Sequence, residues 1–288
     1  MYVQNKPFSV NKTLRLGSAL MDLNIPKVMG VINVTPDSFF SDSRTQNVTQ
    51  ACKNAERMVE AGASIIDIGG YSTRPGATEI SLEEEIDRTI PVIRAIQNSL
   101  SGIPLSIDTF RFEVAKQALD TGAVMINDIT GGVLDERMFK LSAEYHVPYI
   151  IMHSRGTPQT MQSLTDYENL MNDIILHLKI QIERGHQHGA YDFIIDPGFG
   201  FAKTVDQNFT LLNKLECLSI LDRPILAGLS RKSMIWKTLD CMPEQALNGT
   251  TALNMTALLK GASILRVHDV PEATECVKLF CKLVSTNQ

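Results

Sequence analysis

The sequence predicts an α/β fold, a single-domain (β/α)8 TIM barrel. Eight short runs rich in Val, Ile and Leu alternate with longer segments that have helical periodicity. Many of these runs are apolar on both alternations, as expected for strands covered by the barrel interior on one face and by helices on the other. The length of 288 residues is also normal for one barrel. An open, doubly wound sheet is the alternative fold, but such a sheet rarely needs eight regular units.

The predicted elements follow one another in a regular order. The strands span residues 28–34, 64–69, 105–108, 124–128, 148–153, 193–196, 224–227 and 263–267. The helices span residues 49–61, 82–100, 112–121, 136–145, 167–186, 205–215, 244–260 and 273–283. Glycines that tolerate a positive φ follow four of these helices, at Gly62, Gly122, Gly189 and Gly261.

Two further features concern the boundaries of elements and domains. Ser81, followed three residues later by Glu84, predicts a capping box at the start of a helix. Residues 1–26 precede the first strand, and we expect them to form an N-terminal hairpin or cap over the bottom of the barrel. The remaining residues, 27–288, would then form the barrel domain.

Composition narrows the classes of partner. The net charge of -5 argues against a nucleic acid or a membrane held by bulk charge, although a local cationic pocket can still bind a small anion. No apolar stretch approaches the length of a membrane span, and the polar N-terminus does not resemble a signal peptide. The five cysteines include no C-x-x-C pair and predict neither a zinc site nor a disulfide framework, which fits a cytoplasmic location.

Polar side chains stand at the ends of all the predicted strands. In a barrel of this type the chemistry lies at the carboxyl ends of the strands and in the loops that follow them. A buried carboxylate without a partner costs several kcal/mol or is forced to protonate. Several of them at one mouth therefore imply a ligand, a metal or compensating cations. In chain order the strand-end residues are Asn33, Asp67, Asp108, Asn127, Asp128, His153, Asp196, the run Ser230 to Ser233, Arg266 and His268.

One group among these residues suits a flat heterocycle. Asp108, Asn127 and Asp196 offer planar acceptors, and the asparagine is also a donor. One carboxylate can accept two parallel N–H bonds from an amidine-like edge, as it does from a guanidinium. Lys232 could donate to a ring carbonyl or a ring nitrogen.

The second group is rich in donors and positive charge. It consists of Asn33, Thr73, Arg74, Arg266 and His268. Arg266 and His268 are two residues apart on a strand, so their side chains should point the same way. This set suits a phosphate or diphosphate, with a Mg²⁺ ion that could use the Asn33 oxygen and keep most of its waters.

Three strand-end residues have alternative interpretations that do not involve a ligand. Asp67 could equally be structural, with hydrogen bonds from loop amides, or part of the site. For Asp128 we favour a cap on the loop that follows it. For His153 we favour a buried core histidine whose hydrogen bonds are satisfied.

Taken together, the motifs resemble the dihydropteroate synthase family. The matching stretches are collinear and cover about residues 27–270. They are Ile32 to Phe39, Asp67 to Gly70, Ser72 to Gly76, Ser106 to Thr109, Asn127-Asp128, Gly156 to Pro158, Asp196 to Phe201, Ser230 to Ser233 and Arg266 to Asp269.

The resemblance implies a transferase of folate biosynthesis that uses Mg²⁺. Members of the family join 4-aminobenzoate to (7,8-dihydropterin-6-yl)methyl diphosphate and release diphosphate, and sulfonamides are an expected class of inhibitor. The family also implies a homodimer. The competing functions are a pterin-binding methyltransferase acting with a corrinoid protein and a catalytically silent pterin-binding module. Neither needs the full diphosphate set, which includes Arg74, Arg266 and His268.

The resemblance also implies roles for individual residues. The pterin would be held by Asp108, Asn127, Asp196 and Lys232, and the diphosphate by Thr73, Arg266 and His268. The aminobenzoate site would be formed by Arg74, Pro75, Phe201, Lys232 and Ser233, and Asn33 would coordinate Mg²⁺. The groups expected to act in catalysis are Arg74, Lys232, Arg266 and His268. We expect loss of Arg266 to weaken diphosphate binding and to leave the binding of free pterin largely intact.

Three departures from the family pattern stand near the expected site. The first loop reads Ser38-Phe39-Phe40-Ser41-Asp42-Ser43-Arg44 and lacks the usual pair of glycines, which should stiffen it. Tyr71 stands where the family commonly has Glu. Ala202 replaces a frequent Gly after Phe201. None of these changes removes a strand-end group, so we expect an active enzyme.

Overall fold

The computed structural model describes residues 12–34, 44–72, 78–156 and 160–286, and the chain folds as a (β/α)8 barrel. A two-stranded antiparallel hairpin comes first, formed by β1 (Thr13–Leu16) and β2 (Ala19–Asp22). Eight parallel strands follow in the sheet order β8-β7-β6-β5-β4-β3-β10-β9. A parallel bridge between Ile195 and Ile225 links the two ends of this sheet and nearly closes the barrel. The predicted fold class is therefore confirmed.

The barrel strands lie within one or two residues of the predicted bounds. They are β3 (Lys27–Asn33), β4 (Ile65–Gly69), β5 (Leu105–Asp108), β6 (Met125–Asp128), β7 (Tyr149–Met152), β8 (Phe193–Asp196), β9 (Leu226–Ala227) and β10 (Ile264–Val267). Nearly every residue of these strands is buried, because side chains on both faces are covered.

Helices surround the sheet. They are α1 (Arg44–Glu60), α2 (Leu82–Ser99), α3 (Phe112–Thr121), α4 (Arg137–Tyr145), α5 (Leu170–Gln187), α6 (Val205–Asn213), α7 (Ser233–Thr238), α8 (Leu247–Leu259) and α9 (Val270–Ser285). Helix α1 starts at Arg44 rather than at residue 49, and the six-residue α7 was not predicted. A helix of that length has too few turns to produce a readable apolar period.

The helix ends agree with the predicted boundaries, but the predicted capping box is only half formed, because the Glu84 carboxylate pairs with Arg88. The Oγ of Ser81 accepts a hydrogen bond from the backbone N–H of Glu84 at 3.1 Å, which starts α2. The four predicted cap glycines all have a positive φ, between 84° at Gly189 and 116° at Gly122. These conformations favour glycine, and they end the helices at the expected points.

The barrel interior has an apolar layer at its amino-terminal end, and the hairpin packs against that layer. The cluster joins inward-facing strand residues to three leucines of the N-terminal segment: Met29, Ile65, Met125, Ile150, Ile194, Leu226 and Ile264 with Leu14, Leu16 and Leu23. The hairpin is also fixed by a bond of 2.9 Å from the backbone N–H of Arg15 to Asp192. The domain boundary between residues 26 and 27 stays a prediction, and residues 1–11 lie outside the described residues.

Candidate active site

A polar layer lies directly above the apolar layer of the barrel interior. Side chains two residues apart on a strand share a face, and four apolar residues of the lower layer are followed in this way by a polar one. Ile65 is followed in this way by Asp67 and Ile264 by Arg266. The other such pairs are Met125 with Asn127 and Ile194 with Asp196. The alternation of the strands thus directs four of the polar groups to the carboxyl-terminal mouth.

Arg266 lies between two carboxylates at the centre of this layer. Its Nε donates to Asp67 Oδ2 at 2.7 Å, and its Nη2 donates to Asp108 Oδ2 at 2.5 Å. Asn127 Nδ2 also donates to Asp67 Oδ2, at 2.9 Å. Arg266 therefore joins the cationic group of the sequence prediction to the acceptor group, which had been treated as separate.

The partners of Asp67 are side chains of the site, whereas its structural interpretation predicted loop amides. The residue has no exposed surface, and its Oδ2 accepts bonds from the side chains of Arg266 and Asn127, not from loop amides. Its Oδ1 is buried and has no hydrogen-bond partner among the described residues. Asp67 therefore orients two site residues and leaves one acceptor available.

The pKa of Asp108 is raised to about 7 by burial and, to a smaller extent, by neighbouring carboxylates. Burial is the largest cause, because it disfavours the charged form. The guanidinium of Arg266 opposes this effect, whereas the neighbouring carboxylates of Asp67 and Glu85 add to it. For Arg266, burial alone would lower the pKa, but the same two aspartates, Asp67 and Asp108, outweigh it and the net shift is upward.

Asp196 and Lys232 form the second part of the polar layer. Asp196 Oδ1 accepts a bond of 2.7 Å from the backbone N–H of Gly198, but burial outweighs this bond and raises the pKa of the carboxyl. Burial lowers the pKa of Lys232 to about 8, with Asp196 acting in the opposite direction. The Lys232 ammonium also lies 4.2 Å from the ring centroid of Phe201, within cation–π range.

His268 is held by the loop after β9. The backbone N–H of His268 donates to Ser230 Oγ at 3.2 Å, and the same hydroxyl lies 3.0 Å from His268 Nδ1. A hydroxyl that donates to Nδ1 keeps the proton of a neutral imidazole on Nε2. His268 is exposed, in contrast to Arg266, which is largely buried.

A bidentate ion pair links the loops that carry Lys232 and His268. Arg231 Nε and Nη2 donate to the two carboxylate oxygens of Asp269 at 2.9 and 2.7 Å. Arg231 Nη1 also donates to the backbone oxygen of Glu244 at 2.9 Å. Because Arg231 precedes Lys232 and Asp269 follows His268, this pair fixes the separation of two predicted site residues.

Glu85 is a component of the site region that the sequence interpretation missed. It is fully buried on α2, and its two oxygens accept bonds from Thr109 Oγ1 at 2.6 Å and from Arg111 Nη1 at 3.0 Å. The residue lies behind Asp108 and raises its pKa. The signal was available, because Glu85 interrupts the apolar face of α2 formed by Val92, Ile93 and Ile96.

The remaining predicted residues divide into three cases. Asn33 is half-buried at the end of β3, where it pairs in the ladder with Gly69, whose neighbour on β5 is Asp108. Ser233 begins α7 beside Lys232. Thr73, Arg74, Pro75 and the first loop, residues 35–43, lie outside the described residues.

Two expectations for residues without a ligand role are confirmed. Asp128 accepts bonds from the backbone N–H groups of Thr130 and Gly132 and from the Tyr149 hydroxyl, so it caps the loop that follows β6. His153 is 1% exposed, and its Nδ1 lies 3.0 Å from Lys203 Nζ.

Metal ligands are sparse in this region. Within the described ranges, no group of three or more His, Cys, Asp and Glu side chains could hold a metal ion. The predicted Mg²⁺ site therefore depends on Asn33, whose amide oxygen is the kind of hard donor that Mg²⁺ prefers.

Comparison with known proteins gives a consistent result. A family model for pterin-binding enzymes matches residues 29–268. A dihydropteroate synthase of Synechocystis sp. is 47% identical over 259 residues, which is 89% of this chain and 88% of that protein. The dihydropteroate synthase of Yersinia pestis, solved as a sulfonamide drug complex, has a TM-score of 0.89 at 39% identity and covers 95% of this chain and 99% of its own. That of Xanthomonas albilineans, solved with 4-aminobenzoic acid, has a TM-score of 0.87 at 37% identity over 94% of this chain and 98% of its own.

Proposed function

Since the chain belongs to the family of pterin-binding enzymes, we infer that it is a dihydropteroate synthase. It condenses (7,8-dihydropterin-6-yl)methyl diphosphate with 4-aminobenzoate to give 7,8-dihydropteroate and diphosphate. The observation that carries this function is the joint presence of carboxylate acceptors and cations at one barrel mouth, with Arg266 in contact with Asp108. A ring with an amidine-like edge and a diphosphate leaving group need both kinds of partner at once.

The pterin occupies the acceptor side of the mouth in this proposal. Asp196 accepts N–H bonds from the pterin edge, Asn127 supplies a further acceptor and donor, and Lys232 donates to the ring. The observation that Asp196 and Lys232 have pKa values shifted by burial supports this role, because a ligand with paired donors relieves a buried carboxylate. Asp108 contributes its oxygen that does not contact Arg266.

The diphosphate occupies the cationic side. His268 is exposed at the mouth and can present an Nε2–H to a phosphate oxygen. The largely buried Arg266 offers its remaining N–H groups, and Thr73 completes the set in our proposal. Charge grows on the diphosphate oxygens as the C–O bond breaks, so donors that are already in place stabilise the transition state more than the ground state.

Aminobenzoate binds next to the pterin in this proposal, against Phe201, Lys232 and Ser233, with Arg74 and Pro75 from the second loop. Phe201 and Lys232 are already in contact at 4.2 Å, and they would form one wall of this subsite. The neutral arylamine is the nucleophile and needs no strong base. Exclusion of water by the surrounding loops protects the electrophilic methylene carbon.

We propose that Mg²⁺ binds through the Asn33 oxygen. One protein oxygen at the mouth fits an ion that keeps several waters and takes its other ligands from substrate phosphates. When bound, the ion supplies positive charge next to the leaving diphosphate.

We also propose a cytoplasmic homodimer. All five cysteines are free thiols, which suits a reducing compartment. Helix α9 exposes Leu279 and Leu283, one turn apart, with 64% and 49% of their surface accessible, and such apolar pairs are common at subunit interfaces. In the described part of the chain no helix is both long and apolar enough to cross a membrane. Light scattering at several protein concentrations tests the dimer.

A direct assay tests the function. The protein is incubated with both substrates and Mg²⁺, and diphosphate release and dihydropteroate formation are followed together. We expect release that depends on aminobenzoate, a loss of at least 100-fold in the Asp196→Asn variant, and little change in the matched variant Asp206→Asn, whose side chain is exposed nearby on α6. Methyl transfer without diphosphate release, or pterin binding without turnover, would overturn the proposal.

A further inference from the structure

A buried lysine lies beneath the loop that follows β8. Lys203 is 6% exposed, although lysine is almost never buried without partners. Its Nζ lies 2.9 Å from the backbone oxygen of Gly198, 3.1 Å from that of Phe201 and 3.0 Å from Nδ1 of His153. An ammonium group has three N–H donors, so these three acceptors use all of them.

The two carbonyl groups belong to a loop that carries proposed substrate contacts. The backbone N–H of Gly198 donates to Asp196, while its carbonyl accepts from Lys203. At the other end of the loop, Phe201 presents its ring to Lys232 and its carbonyl to Lys203. One ammonium therefore fixes both the pterin side and the aminobenzoate side of this loop.

The loop also rests directly on the end of β7. Gly198 has a φ of +72°, and a Cβ added there would collide with the carbonyl oxygen of His153. The contact from Lys203 to the His153 ring therefore connects the loop to a rigid strand end. Loss of the ammonium would leave the carbonyl groups of Gly198 and Phe201 without this donor and would loosen the loop.

Two histidine rings, those of His153 and His177, lie in the same buried cluster as Lys203. Burial lowers the pKa of His153 and His177, that of His177 to about 4, and the charge of Lys203 adds to both shifts, so both rings are neutral at pH 7. The rings lie 5.0 Å apart, and His177 Nε2 is buried without a hydrogen-bond partner in the described residues.

The groups that face Lys203 from the surrounding elements have opposite effects on its charge. Burial is the largest effect and lowers the pKa of Lys203 to about 7. Asp196 at the end of β8 favours the ammonium, whereas Lys232 after β9 and Arg155 after β7 disfavour it. In return, the Lys203 charge opposes the upward shift that burial gives to the pKa of Asp196, and it does so less than Gly198, Lys232 or Arg266.

We propose that Lys203 is a positioning residue of the synthase: its ammonium clamps the loop from Gly198 to Phe201 and thereby holds Asp196 and Phe201 in place for the two substrates. This inference rests on the proposed function. Lys203 does not touch the reacting atoms and acts through Asp196 and Phe201.

The test compares Lys203→Met with Lys203→Arg, which keeps the positive charge, and with Lys116→Met as a matched control on the exposed face of α3. For Lys203→Met we expect a fall of at least ten-fold in kcat/KM, a larger rise in KM for aminobenzoate than fall in kcat, and a pterin-binding pH profile whose acid limb moves to higher pH. The limb moves upward because Asp196 loses a neighbouring cation. Lys203→Arg should restore the position of the limb, and the control should match wild type in every measurement.

Thermal stability is measured in parallel, and Lys203→Gln replaces Lys203→Met if the latter does not fold. A lower Tm with unchanged KM values and an unchanged acid limb would show a purely structural lysine and overturn the proposal. A different result would count against the proposed function alone. In that case the wild-type protein binds pterin but shows no activity, and the acid limb of pterin binding still moves in the Lys203 variant.

Discussion

The guanidinium of Arg266 lies between Asp67 and Asp108 and contacts both, in addition to the role of phosphate ligand that its strand pattern predicts. A cation between them is needed, because the charge of Asp67 disfavours ionisation of Asp108. The same arginine therefore also positions the carboxylates on the acceptor side of the mouth.

This position changes the expected effect of removing Arg266 on the binding of free pterin. Arg266→Ala should weaken the binding of free pterin by at least ten-fold, as well as that of diphosphate. Asp67 and Asp108 lose their shared partner, and the protonated form of Asp108 is favoured further. His268→Ala, at an exposed position, should weaken the binding of diphosphate and change the affinity for free pterin by no more than about two-fold. Calorimetric titration of each ligand separately measures both effects. Unchanged pterin binding in Arg266→Ala would restore the original view of a diphosphate ligand only.

Ala202 stores backbone strain at the position where the family commonly has glycine. Its φ is 48°, in the left-handed region, which costs an L-residue roughly 1–2 kcal/mol. Ala202→Gly should therefore raise the free energy of unfolding by at most about 0.5 kcal/mol, after the greater entropy of the unfolded glycine chain and the loss of a buried methyl group are counted. Ala252→Gly on the exposed face of α8 should lower it by about 1 kcal/mol. Urea unfolding measures the free energy of unfolding of both variants, which should change in opposite directions. If both variants were destabilised, Ala202 would not be strained.

At the scale of elements, the strands were the most predictable part of the fold and of the site. Because side chains alternate along a strand, a run such as Ile264 to Arg266 predicts both the residue that enters the apolar layer and the polar residue that follows at the mouth. Helix α7 was not predictable, since six residues carry no clear period. The partners of buried charges were also missed: Lys203 and Glu85 each act across elements, and no local spacing reveals which strand end they will meet.

The loops after β9 and β10 should behave as one unit because of the ion pair between Arg231 and Asp269. Arg231→Ala and Asp269→Ala should each raise the KM for the pterin diphosphate several-fold, since Lys232 and His268 lose their fixed separation. The double variant should be no worse than either single one, as expected for residues that share one interaction. Steady-state kinetics measure the KM values of the two single variants and the double variant, which complete the double-mutant cycle. The same cycle on the exposed pair Lys116 and Asp120 serves as the control. Fully additive effects would mean that the loops are positioned independently.

At the scale of the whole molecule, the barrel holds its site at a cost in stability that depends on pH. The pKa of Asp108 is raised from 3.8 to about 7 in the folded protein, so the folded state binds more protons than the unfolded state between these values. The stabilising effect of that proton is fully present below the ordinary carboxyl pKa and is lost as the pH rises through about 7. At pH 8 the folded chain therefore keeps a carboxylate that would be more stable in water.

Asp108→Asn removes this titration while keeping a planar side chain that can still accept a bond from Arg266. We expect the Tm of the variant, relative to wild type, to be higher at pH 8 than at pH 5.5, by a few degrees if the difference is about 1–2 kcal/mol. Its activity should fall sharply, because an amide whose oxygen accepts from Arg266 presents an N–H donor to the pterin where Asp108 presents a carboxylate oxygen. Asp206→Asn, with an exposed side chain, should show no such dependence on pH. A Tm difference between Asp108→Asn and wild type that does not change with pH would mean that Arg266 keeps Asp108 ionised throughout, and that substrate binding relieves no strain at this carboxylate.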